Sequence, residues 1–286
     1  MACRYNIFCM KGEKMAQLYY LISYFLLYSF LGWVLEVVYH VISIGKVINR
    51  GFLNGPVCPI YGFGMLSVLV ILEPFSDNTL LLFAGGIFFA TLIELIGGFV
   101  LYKLFHMRWW DYSEEPFNLG GYICLKYSLA WGFCILFAMK VVHPFVELNV
   151  KILDGVFGHI LVVVLWIIFF VDFVITLLTV MNLNKDLQEM NKIAGQMRKV
   201  SDHMTEKIGE HTIEADTRIQ EHRVQATLAK AEIRDRIEEL KKKHTRNRFF
   251  GFNRLYQAFP QLQHSLYNEE LHSLIERLKE KRENNA

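Results

Sequence analysis

Charge is scarce over the first 181 residues of this 286-residue chain, which hold 10 of its 30 Lys and Arg and 11 of its 28 Asp and Glu. That scarcity excludes a water-soluble fold for the region. Its apolar runs reach the ~20 residues that a helix needs to cross a hydrocarbon core of about 30 Å. Cysteine is sparse and odd in number. Cys3, Cys9, Cys58, Cys124 and Cys134 include no Cys-x-x-Cys pair, which argues against a disulfide framework or a zinc ribbon. No Gly-x-x-x-x-Gly-Lys-Ser/Thr occurs, so ATP cannot be held through a P-loop. No proline falls between Pro144 and Pro260, so nothing there forbids long helix. The N-terminus lacks a small-residue cleavage site, and its apolar run is too long for a signal peptide; it reads as a retained first span.

What is present is a series of apolar segments. The runs predict spans at about Leu18–Ile44, Pro56–Leu72, Leu80–Phe105, Tyr122–Val142 and Val156–Met181. The second is short and carries Pro56, Pro59, Gly62 and Gly64. Backbone polar groups in lipid must be satisfied within the segment, so the spans are helices. Tyr19, Tyr20, Trp109 and Trp110 sit at their ends, as in interfacial aromatic belts. His143 and His159 read as interfacial too. The expected fold class is all-α: a polytopic membrane helix bundle of about five transmembrane helices, a tandem two-helix repeat plus one, with a long cytoplasmic tail. The expected domains are an arm at 1–17, a membrane domain at 18–152 with repeats at 18–72 and 80–142, a fifth helix at 153–181, a helical tail at 182–240 and a terminal segment at 241–286.

Short-loop basic residues set the orientation. Lys46 and Arg50 lie in one loop, Arg108 in another, and the tail is rich in Lys and Arg, whereas 73–79 holds only Glu73 and Asp77. This predicts a multi-pass protein of the cell membrane with the N-terminus outside and the tail in the cytoplasm. Arg4, Lys11 and Lys14 run against that assignment.

The tail spaces Leu187, Met190, Ala194, Met197, Met204 and Ile208 at three to four residues with gaps, the mark of an amphipathic helix. Ala, Ser201 and His222 weaken the seam, so a loose coiled coil or a folded-back hairpin fits better than a tight zipper. Lys241 to Arg254 carries six basic residues, three Phe and no acid. Such a stretch suits anionic lipid, and no nucleic-acid-reading module accompanies it.

The chain also matches itself. Arg50 follows Glu36 by 14 residues, and Arg108 follows Glu94 by 14. Gly51 to Gly62 then aligns with Pro116 to Tyr127 after an eight-residue insertion, with Cys-x-x-Tyr recurring as Cys58 and Tyr61, then Cys124 and Tyr127. Two spans per unit make a parallel repeat with a pseudo-two-fold axis along the membrane normal. Each Glu would sit roughly 12 Å or more inside its helix at 1.5 Å per residue. A carboxylate at such depth faces a bundle interior or a wet cavity. The expected substrate-binding site is Glu36, Asn54, Tyr61, Glu94, Asn118 and Tyr127, with Arg50, Arg108 and Asp111 at its mouth. The plainer reading is that Glu, Arg and Tyr only lock helices together. Cys58 and Cys124 can be soft metal ligands, but a buried Cys is more often apolar filler. No cofactor or metal is expected. Asp172 in the fifth span has no repeat mate, and that span reads as the root of the tail.

Trp33, Glu36, the run from Arg50 to Gly62 and the run from Arg108 to Ser113 resemble the bacterial CmpB family, labelled type IV ABC-transporter membrane proteins, with small animal transmembrane relatives. The resemblance covers about 18–142. It implies a permease-like transport component, not an enzyme, served by a separate ATPase subunit docking on loops 45–55 and 106–121 or on the tail. The other expected partners are the lipid bilayer and a second copy through the tail helix, with no nucleic acid. The rival reading is a non-transporting scaffold or regulator that works through its tail. A lipid-acting enzyme, with Arg50 and Arg108 on phosphate and Asp111 as base, lacks a nucleophile arrangement or metal cluster to support it.

Overall fold

The computed structural model describes residues 14–210, 224, 227–228, 231–239 and 251–284, with side chains omitted at 14–16, 197, 200–210 and 281–282. Most of the N-terminal arm, the middle of the tail and nearly all of the basic-aromatic stretch fall outside the described residues. The chain divides into two compact units. The first is Met1–Leu177 with Gln257–Leu262, and the second is Leu178–Tyr256 with Gln263–Ala286.

The first unit is built from α1 (Lys14–Ile44), α2 (Pro59–Ile71), α3 (Thr79–Phe105), α4 (Leu125–Phe137), α5 (His143–Ile152) and the start of α6 (Val156–Glu210). α1 packs on α2 and α5, α2 on α3, and α3 on α4. Its core holds Tyr20, Tyr24, Tyr28, Val68, Leu69, Leu82 and Ile135. Small residues bring α1 and α2 together. A Cβ on Gly32 would strike the Tyr61 side chain, and one on Gly62 would strike Ser29 and Phe25. Close approach through glycine is how helices associate where no hydrophobic force separates them from lipid.

Local chemistry sets the boundaries. Cys58 is extended and Pro59 opens α2, where its fixed φ suits the first helical turn and its missing N–H costs nothing. Asn78 caps α3, its side chain accepting from the N–H groups of Leu80 and Leu81. α3 ends at His106, in the left-handed region with φ 55°.

Among the described residues four helices are long and apolar enough to cross a membrane: Gln17–Ile44, Thr79–Phe105, Leu125–Ile152 and Val156–Gln196. The expected second span is the exception. Its helix has 13 residues, about 20 Å of rise, and Asn54 to Cys58 ahead of it is not helical. α2 begins high on α1: the Cys58 N–H donates to the Ser29 carbonyl at 2.8 Å, about 22 Å of helix back from Ile44. The expected fourth span also needs correction. It does not stop near Val142 but runs on to Ile152 through a π-helical turn at Ala138–Val142. Pro144 cannot donate to the Lys140 carbonyl, and a widened turn re-registers the helix around that missing bond. His143 is therefore buried, not interfacial, and lies 2.9 Å from the Tyr28 hydroxyl through Nδ1.

In the second unit Leu183, Leu187, Met190, Phe252, Leu255, Leu271 and Leu274 are buried. Its chain folds back on α6. Arg236 pairs with Glu189 at 2.8 Å, Arg198 with Glu269 at 3.2 Å, and Arg277 with Glu238. His264 is fixed as one tautomer. Its Nδ1 accepts from the N–H groups of Leu266 and Tyr267, so Nε2 carries the proton given to Asn184 at 2.5 Å.

Candidate functional site

Glu36 projects from α1 towards α2. Its Oε1 accepts a 2.6 Å hydrogen bond from the Tyr61 hydroxyl, and Oε2 lies 3.4 Å from Arg50 Nε. About a quarter of each side chain of the ion pair is exposed. The loop that returns Arg50 is ordered by Asn49, whose Oδ1 accepts from Trp33 Nε1 and the Gly51 N–H and whose Nδ2 donates to the Asn54 carbonyl.

The next turn is held by α6. The Asp172 carboxylate accepts from the Asn54 N–H at 3.2 Å, Asn54 Nδ2 at 2.8 Å and the Gly55 N–H at 2.7 Å. Asn54 Nδ2 also reaches Thr176 Oγ1 at 3.1 Å. The fifth span is thus more than the root of the tail, because its carboxylate clasps the turn ahead of α2. The sequence signal for this was Asp172 itself, an acid in the middle of an apolar helix.

Glu94 projects from α3 and is 8 % exposed. Its Oε1 accepts from the Tyr112 hydroxyl at 2.9 Å. Its Oε2 is buried with no short hydrogen bond among the described residues, and the Trp131 indole N–H beside it acts as a donor to the carboxyl. Burial, then the Glu94 charge and hydrogen bond, hold the Tyr112 phenol well above its ordinary range. Tyr112 therefore stays a donor. Its ring stacks on Tyr127 with centroids 4.8 Å apart, and Tyr61 meets Trp131 edge-on at 5.6 Å. Glu36 lies near enough to Glu94, and Glu94 to Tyr61, for their charges to interact. Four helices thus bring Glu36, Tyr61, Glu94 and Trp131 to one polar centre.

The remaining expected residues are engaged in the loop after α3. Arg108 does not turn back to Glu94 as Arg50 does to Glu36. It lies 3.5 Å from Asp111 and over the Tyr122 ring. Asp111 Oδ1 also accepts from the Ser113 N–H and hydroxyl. Asn118 Nδ2 donates to the Ser113 and Glu115 carbonyls, and its Oδ1 accepts from the Gly121 N–H. Asn118 and Leu119 pair antiparallel with Cys124 and Ile123. Gly121 has φ +75°, and a Cβ there would press on Asp111, Ser113 and Arg108. Asp111 and Asn118 therefore spend these polar contacts on the loop. Tyr112 and Trp131 were not anticipated. Tyr112 lies within the eight-residue insertion that the self-match skips, and nothing in the spacing marks Trp131.

Cys58 and Cys124 are both buried, and each is the extended residue just before its helix, α2 or α4. Tyr61 and Tyr127 are then the third residue of those helices.

An apolar helical unit with a carboxylate-bearing centre defines the class as a polytopic membrane protein. The chain belongs to the family described as "Putative ABC-transporter type IV", which matches residues 23–177. No curated protein and no solved structure matches it.

Proposed function

We propose that the chain is the membrane-embedded, permease-like component of an ABC-type transporter, with its polar site between α1–α2 and α3–α4. The observation that carries this reading is the meeting of Glu36 and Glu94 with Tyr61 and Trp131. Carboxylates buried among apolar helices are costly and tend to mark substrate or ion pathways. The family supplies the class of machine. The like placement of Cys58 and Cys124, and of Tyr61 and Tyr127, supports a tandem repeat with its axis along the membrane normal.

On this reading the chain crosses the membrane five times. The short α2 is completed by the Asn54 to Cys58 segment, whose polar backbone is met by Asp172 and Ser29. Irregular backbone is tolerated at that depth where protein covers it. Lys46, Arg50 and Arg108 put their loops and the tail in the cytoplasm. The domain division follows: an arm, a membrane domain of two repeats, a fifth span, and a coiled-coil-like tail that serves self-association. The chain is not itself an enzyme, and ATP hydrolysis belongs to a separate subunit docked on the cytoplasmic loops or tail.

Extraction of the tagged full-length chain in mild detergent tests this. A co-purifying ATPase subunit is the expected outcome. Recovery of the chain without one overturns the transport reading. A second reading, a scaffold acting through the tail, draws on the second unit's own buried residues and ion pairs. It expects a cytosolic regulator in the same preparation, lost when 182–286 is deleted.

A further inference from the structure

The basic side chains nearest the polar centre are already engaged. Arg50 is paired with Glu36 and Arg108 with Asp111. Among the described residues no basic side chain forms an ion pair with Glu94, although that residue is more than nine-tenths buried. Among the described residues its Oε2 makes no short hydrogen bond, and the donors beside the carboxyl, Tyr112 and Trp131, are neutral. A buried carboxylate without a countercharge is an incomplete electrostatic arrangement, and a positive ligand group would complete it.

The surroundings narrow the kind of cation. Tyr112 and Tyr127 stack beside Glu94, and Trp131 adjoins it with Tyr61 against the indole. All four residues are half-buried, but the Tyr127 ring has Tyr112 stacked on it and Lys126 Nζ over it at 5.3 Å, which leaves the Tyr112 and Trp131 rings for a ligand. Ring faces attract ammonium groups, most strongly when water is excluded. A hydrated metal ion would need several oxygen ligands, whereas only Glu36 and Glu94 are acidic here, and Glu36 is already engaged by Arg50 and Tyr61. A carboxylate flanked by neutral donors and aromatic rings suits an organic cation with an apolar skin.

We propose that this site takes a small organic cation of the alkyl- or quaternary-ammonium class, held by the Glu94 carboxylate and the rings of Tyr112 and Trp131. The proposal rests on the transport reading above and names its substrate class.

Binding of choline to the full-length protein in lipid nanodiscs tests it. The neutral isostere 3,3-dimethylbutan-1-ol and sodium chloride at equal ionic strength are the controls. Saturable choline binding is expected, at least tenfold weaker in Glu94→Gln and several-fold weaker in Trp131→Leu, with no saturable binding of the alcohol. Thermal melts of both variants identify any that fail to fold, and Trp131→Leu stands in if Glu94→Gln does. Absence of choline binding, equal binding of the alcohol, or undiminished binding in a folded Glu94→Gln protein overturns the proposal. A proton as the only cation taken would show as absence of choline binding. The two readings fail separately: a co-purifying ATPase without choline binding removes only the substrate class, and choline binding without an ATPase leaves the site but removes the ABC machine.

Discussion

Glu36 and Glu94 stand at matching places in the self-alignment, yet their surroundings differ. Glu36 has both oxygens engaged, one by Tyr61 and one by Arg50. Glu94 has one oxygen on Tyr112 and the other without a short hydrogen bond among the described residues. The difference lies in the loops. The first is short and returns its Arg to the helix that carries the Glu. The second has eight more residues, which supply Tyr112 to the carboxylate and Asp111 to the Arg. Glu36 thus has its countercharge within the fold, and Glu94 has only neutral donors beside it among the described residues.

Substitutions can break or sharpen this contrast. Glu36→Gln has the largest expected effect, because it leaves Arg50 unpaired in a mostly buried position; a loss of about 3 kcal/mol is expected. Melting in detergent checks it. A double-mutant cycle with Arg50→Met should return a coupling above about 1 kcal/mol, and additivity would remove the pair from the account. Asp172→Asn comes next. Its amide sets a donor against the Asn54 or Gly55 N–H, at about 2 kcal/mol, and faster proteolysis between 45 and 58 should accompany the lower melting temperature. Gly121→Ala places a Cβ in the left-handed region, a cost of about 1–2 kcal/mol, and should perturb the Arg108–Asp111 contact. Glu94→Gln is the smallest. It keeps the acceptor for Tyr112 and removes no ion pair, so a melt equivalent to within about 0.5 kcal/mol is expected. A large loss there would mean that Glu94 is as structural as Glu36.

Much of the first unit was legible in the sequence because lipid imposes a long apolar length on every full crossing. α1, α3 and α6 fall close to the apolar runs that announce them. The 14-residue interval from Glu36 to Arg50, noted only as half of a repeat, proved to hold an ion pair. The matching interval from Glu94 to Arg108 did not, since the inserted loop gives Arg108 a nearer acid. The fourth span was expected to end at about Val142, whereas its helix runs on past Pro144 to Ile152 because a π-helical turn absorbs the proline. Asp172 was seen but left unplaced, since its partners lie more than 115 residues away.

Sequence alone determined the long apolar helices within the first 181 residues and the more highly charged chain that follows them. Hydropathy and backbone hydrogen bonding are properties of each segment by itself, so they can be read locally. The tertiary structure decided which carboxylate has an arginine beside it and which has only neutral donors, and that α6 clasps the Asn54–Gly55 turn. Those outcomes depend on which donors the loops and neighbouring helices bring within 3 Å or so of an oxygen, and no local pattern encodes such distances.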